Sequence, residues 1–148
     1  MAVYSIYHVT PAGTSLTIAN IIGSAAIRIN LAEFSVSSDS APADVATKML
    51  LSRTTAVGTG GTALTVVARD PLTVAATGTA TGGTFAGEPT YAATGLYQFA
   101  FNQRSTFRWV AAPGYEFVST ATASNGIAMR SVSSGATPNV DYSAVWFE

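Results

Sequence analysis

The sequence predicts an all-β domain, a single jelly-roll-like β-sandwich of about eight antiparallel strands. Three observations carry this. Thr and Val recur throughout the chain, and their branched Cβ atoms restrict χ1 in a helix while packing well on a pleated surface. Apolar and polar residues alternate in short runs, as where Ile27, Ile29 and Leu31 interleave with Arg28, Asn30 and Ala32. Turn-forming residues then separate such runs at intervals of about 8–12 residues, the spacing of a sandwich or barrel.

Val3 to Thr10 reads as the first strand, closed by a turn at Pro11-Ala12-Gly13. After Leu31 the apolar phase shifts by one residue to Phe34 and Val36, which predicts a bulge near Glu33. A turn cluster from Ser37 to Pro42 leads to Asp44–Thr54, where Val45, Met49 and Leu51 favour a strand over a short helical turn. The stretch at about 56–94 is rich in Thr, Ala and Gly and carries weak register signals. Its length suits a loop, or an arm ordered on a neighbouring subunit, within one domain spanning 1–148. Tyr97, Phe99 and Phe101 share one face of the next strand, and Phe107 and Trp109 share one face of another; both read as core. Ala112-Pro113-Gly114 is a turn, Tyr115–Ser119 a strand, and Asn125-Gly126 a hairpin signal that pairs Ile127–Val132 back across it. Val140 to Glu148 forms the final strand. No internal repeat or composition break divides the chain.

Composition narrows the functional classes. Only 10% of residues are charged, against about 25% in ordinary globular chains, while 48% are hydrophobic, so part of the outside is expected to be covered by a partner. A net charge of -1 leaves no basic stripe for nucleic acid. Thr, Ser and Gly interrupt every apolar stretch before the roughly 18 residues a membrane helix needs, and the start lacks the pattern of a signal peptide. With no cysteine, disulfides, thiolate metal sites and cysteine nucleophiles are excluded together.

The residues offer no catalytic, cofactor or metal site. His8 is the sole histidine, so it is the only imidazole base for a hydrolytic triad, and no set of three or four zinc ligands exists. Asp39, Asp44 and Asp70 could converge on Ca²⁺, but their spacing lacks the glycine and terminal glutamate of an EF-hand loop, and ordinary turn aspartates are the better reading. Gly58-Thr59-Gly60-Gly61 has no Lys-Ser/Thr pair after it and is a backbone turn, not a phosphate loop. Six of the seven basic residues are Arg, whose planar fork suits interface carboxylates and carbonyls. Arg104, Arg108 and Arg130 therefore draw notice. Arg108, beside Trp109 and near Tyr115, fits an interface hot spot and a cap on the sheet surface equally well, whereas Trp109 favours the core.

Three segments in this order, Thr59-Gly60-Gly61-Thr62-Ala63-Leu64-Thr65, Asn102 to Gly114 and Ser124-Asn125-Gly126-Ile127, resemble small structural proteins of tailed bacteriophages, the capsid decoration or cement type. The resemblance runs from about Ile27 onward. It implies a non-enzymatic homotrimer, made in the host cytoplasm, on the outer surface of the virion capsid, clamping subunits of the major capsid protein, with another head-surface protein as a further partner. On this reading the interface residues are Arg104 and Arg108, with Tyr4 and Tyr7 as a second contact. The rival expectation is a virion-associated adhesion module, a head fibre or tail-associated jelly roll that grips glycans through aromatic rings. A cupin-type jelly-roll enzyme is the weakest, because it needs a cluster of metal-binding histidines.

Overall fold

A computed structural model describes residues 1–11, 15–39, 41–134 and 139–148. Among them run twelve strands and no helix: β1 (Val3–Pro11), β2 (Thr17–Ile22), β3 (Asn30–Ser38), β4 (Ala46–Ala56), β5 (Thr62–Ala63), β6 (Val67–Ala68), β7 (Thr79–Gly82), β8 (Thr90–Asn102), β9 (Phe107–Val110), β10 (Phe117–Val118), β11 (Gly126–Ser134) and β12 (Asn139–Phe147). Eight of these carry the architecture. Sheet A has the order β1-β12-β3-β9 and sheet B the order β2-β11-β4-β8, with every pair antiparallel. That alternation of strands between two sheets is the jelly roll expected from the sequence. The other four strands are short additions: β6 on β1, β10 on β3, β7 on β2 and β5 on β7.

The core lies between the sheets. Strand β12 shows why the alternation matters: Val140, Tyr142, Ala144 and Trp146 are buried and the residues between them are not. Trp146 is fully buried, its ring 6.0 Å from that of Tyr4, and its Nε1 donates to Glu148 Oε1 at 3.2 Å. The same Glu148 carboxylate accepts from the backbone of Thr77 and Gly78, both at 2.9 Å, and so ties that loop to the end of β12. The expected bulge is present: Val145 pairs with Glu33 and Trp146 with Leu31, leaving Ala32 as the extra residue. It lets Leu31, Phe34 and Val36 all face inward despite their odd spacing.

Between β8 and β9 the chain leaves one sheet for the other, and aromatic rings close that side of the sandwich. Phe99 stacks on Phe107 at 4.0 Å, Trp109 on Phe117 at 4.5 Å, and Phe34 and Tyr97 lie against them. The core reading of Tyr97, Phe99, Phe101, Phe107 and Trp109 thus holds, although Tyr97, Phe107 and Trp109 are only half-buried.

Two expectations are corrected. Asn125-Gly126 does not close a hairpin, because β10 pairs with β3 in sheet A while β11 lies between β2 and β4 in sheet B. Gly126 sits inside that sheet, where an added Cβ would fall 2.2 Å from the Ile21 carbonyl oxygen; the positive φ belongs to Ser124, at 68°. Nor is the region at about 56–94 an arm. It contributes β5, β6, β7 and the start of β8, all paired with strands of its own chain. The turn expected at Pro11-Ala12-Gly13 lies mostly outside the described residues; Pro11 itself ends β1, opposite Asn139.

Truncating Trp146 leaves a large void under two sheets. Trp146→Ala is expected to lower the unfolding free energy by about 3–5 kcal/mol, read as an earlier urea midpoint with an unchanged slope.

Candidate interaction surface

The two sheets differ in what covers their outer faces. On sheet B the segments 57–61 and 83–91 fold over the back as a flap. Thr59 bridges Gly87, with Thr59 N donating to Gly87 O at 2.8 Å and Ala86 N to Thr59 O at 2.9 Å. Gly58 and Gly60, at φ 78° and 75°, supply left-handed turns that a side chain would strain. Phe85 closes on Gly61 so tightly that an added Cβ would sit 2.5 Å from its ring.

Beneath and beside this flap lies a polar row that water would otherwise reach. Thr17, Asn20, Ser52 and Thr54 are buried on the outer side of sheet B, and Thr54 Oγ1 donates to Asn20 Oδ1 at 3.0 Å. Glu88 accepts from Thr17 N at 3.0 Å and from the Thr17 hydroxyl, which also hydrogen bonds the Tyr91 hydroxyl. The Arg130 guanidinium stands 4.2 Å from the centre of the Tyr91 ring. Burial pushes the Tyr91 phenol up to about 12, so it stays protonated. Strand β2 is consequently buried along its whole length, between the core on one side and the flap on the other.

Among the described residues none covers sheet A in this way. Tyr7, Ser143, Ser35 and Arg108 form one row across β1, β12, β3 and β9, all on the outer face. Tyr7 is 77% exposed, the Arg108 side chain 63%. Ser35 and Ser143 share a hydrogen bond at 2.7 Å, and Arg108 Nε meets Glu33 Oε1 at 2.7 Å, which raises the guanidinium pKa further. Met1, Val9, Val67 and Val110 add exposed apolar surface to the same side. At one end Val3, Val110, Val145 and Phe147 line a shallow cleft of about 480 Å³, edged by Arg69 and Glu116.

Of the four expected interface residues, then, the structure places Tyr7 and Arg108 in one row. Tyr4 is a correction: three residues from Tyr7 on a strand, it faces the opposite way, is 2% exposed, and donates its hydroxyl to Val74 O at 2.9 Å. Arg104 stands off this face, exposed on the turn after β8, its backbone N–H bonded to Asn102 Oδ1 at 2.9 Å. Val9, Val110 and Val145 were missed; their signal was apolar residues at the polar phase of otherwise alternating strands.

No group of three or more metal-ligating side chains exists among the described residues. Asp44 Oδ1 accepts from Asn102 Nδ2 at 2.7 Å and Asp70 Oδ1 from Leu72 N at 2.9 Å, the bonds of ordinary turn aspartates. Asp39 lies near Asp141, whose carboxyl burial and this neighbour raise above its usual range. His8 packs against Gly82, and its Nε2 is buried with no hydrogen-bond partner. No helix of the described residues is long and apolar enough to cross a membrane. Comparison with family models, with curated proteins and with solved structures yields no match. The class defined by fold and surface is a jelly-roll β-sandwich with one sheet back covered by its own chain and the other left open by the described residues.

Glu88→Ala removes the carboxylate that holds the flap to Thr17. A loss of about 1–2 kcal/mol is expected, with faster amide exchange at Thr59 and Ala86 as the local readout. For His8, burial keeps the pKa below 6.5, so the unfolded chain takes up a proton that the folded chain resists. Stability is therefore full above about pH 7 and falls as the pH drops through about 6.5. Thermal melts from about pH 7.5 to 5.5 should show a larger decline for the parent chain than for His8→Gln.

Proposed function

We propose that this chain is a capsid decoration protein, a non-catalytic cement that binds the outer surface of a phage head through the back of sheet A and stabilises contacts between major capsid protein subunits. The observation that carries the binding role is the inequality of the two backs: the chain spends the flap on sheet B and leaves Met1, Tyr7, Val9, Val67 and Val110 exposed on sheet A. A face that sets apolar side chains among serines and the charged groups of Glu33, Arg69, Arg108 and Glu116 suits a protein partner. The phage head as partner rests on the resemblance of the three sequence segments. Repetition on an icosahedral lattice would turn individually weak contacts into durable coverage.

Cosedimentation with undecorated heads tests the reading. The parent chain should pellet with saturable stoichiometry, while Tyr7→Ala combined with Val110→Glu should bind at least about 30-fold more weakly, without loss of the thermal transition. A folded chain that ignores heads but binds a glycan array would replace this function with that of an adhesion module.

A further inference from the structure

We propose that two copies of the chain pair antiparallel through the free edge of β8, joining their B sheets across a two-fold axis near Ala100. Strand β8 is the long open edge of sheet B, and among the described residues β4 is its only strand neighbour. At the other edges the outermost strands are short, and the part of β1 that β6 leaves unpaired, Ile6–Pro11, ends in a proline. β5, β6 and β10 have two residues each and β9 has four.

Natural edges are normally blunted by charge, proline or irregularity. From Thr90 to Asn102 the sequence has no charged residue and no proline. Irregularity protects only the first half, where the register against β4 shifts between Leu51 and Ala56. Tyr97–Asn102 then runs in unbroken register with Ala46–Leu51, so its outward N–H and C=O groups form a regular template for another strand.

The occupant is a second copy because this strand complements itself. Inward-facing residues must meet inward-facing ones, so the axis has to pass through a residue and not between two. Centred on Ala100, the pairing sets small against small at the axis, Phe99 against Phe101 of the second copy on the inner side, and Gln98 against Asn102 of the second copy on the outer side. Like charges never meet. The same pairing would extend the ring stack of Phe99 and Phe107 across the junction. Because a two-fold pairing uses the β8 edge of both copies at once, association stops at two copies instead of growing into a fibre. This inference is independent of the partner bound by sheet A, and it stands against the homotrimer that the resemblance of the sequence segments implies.

Light scattering on the full chain at tens of micromolar should give twice the chain mass. The chain has no cysteine, so Ala100→Cys places the only thiols directly opposite each other, and a disulfide-linked dimer should form on mild oxidation. Gln98→Cys should not cross-link, because its two copies lie about 13 Å apart along the strands. Ala100→Glu, whose own cross-strand neighbour is Lys48, should fold with an unchanged spectrum yet raise the dimer Kd about tenfold or more. A monomer or a homotrimer at that concentration, cross-linking by Gln98→Cys as readily as by Ala100→Cys, or a dimer that Ala100→Glu leaves intact would each overturn the pairing.

Discussion

Burial of one face of each sheet against the other is the constraint from which the rest of this structure follows. Side chains on a strand alternate with a period of two, so a slip of one residue would turn Trp146, Tyr142 and Val140 to water and bring Val145, Ser143 and Asp141 into the core. Register is therefore held wherever the core is dense. The bulges at Ala32 in β3, Ile18 in β2 and Val132 in β11 are local adjustments that keep it so, each absorbing one residue without losing the inward set. At the β8/β9 side no strand of the described residues spans the two sheets, and rings take over the sealing role because a half-buried aromatic can exclude water while keeping one edge wet.

Once the inner faces are committed, the outer faces are free to differ. Sheet B presents Asn20, Ser52 and Thr54 outward, and the chain covers them with its own Gly-rich flap. Buried polar groups are tolerable when they are bonded, and Thr17, Glu88, Tyr91, Asn20 and Thr54 largely bond one another. Sheet A presents serines, a salt bridge and scattered apolar side chains. Surface of that mixture is compatible with water in the free protein and with desolvation in a complex, as recognition surfaces commonly are.

The same economy of charge underlies solubility and association alike. With few Lys and Glu residues to repel neighbours, the surface depends on Ser, Thr and backbone hydration, and any regular unpaired edge or apolar face becomes a site of contact. Strand β8 and the back of sheet A are places where these conditions are met.

Alternation, branched side chains and turn spacing made the sandwich legible in the sequence, because period-two burial is a local property written into neighbouring residues. The phase shift at Leu31 to Phe34 even announced its bulge, and the paired rings of Tyr97 to Trp109 announced the core. Pairing across distance was not legible. Asn125-Gly126 carries a hairpin signature, yet its neighbours belong to different sheets, since strand partners are chosen by the burial of remote faces and not by the turn. The low-complexity run at 56–94 has no strong local preference, so only docking onto β1 and β2 decided its conformation. For the candidate site, the row of Tyr7 and Arg108 could be guessed by residue type, but the sequence does not say which back is covered. Tyr4 and Tyr7 look alike in sequence; the sheet assigns one to the core and one to the surface because odd spacing on a strand always separates its residues onto opposite faces.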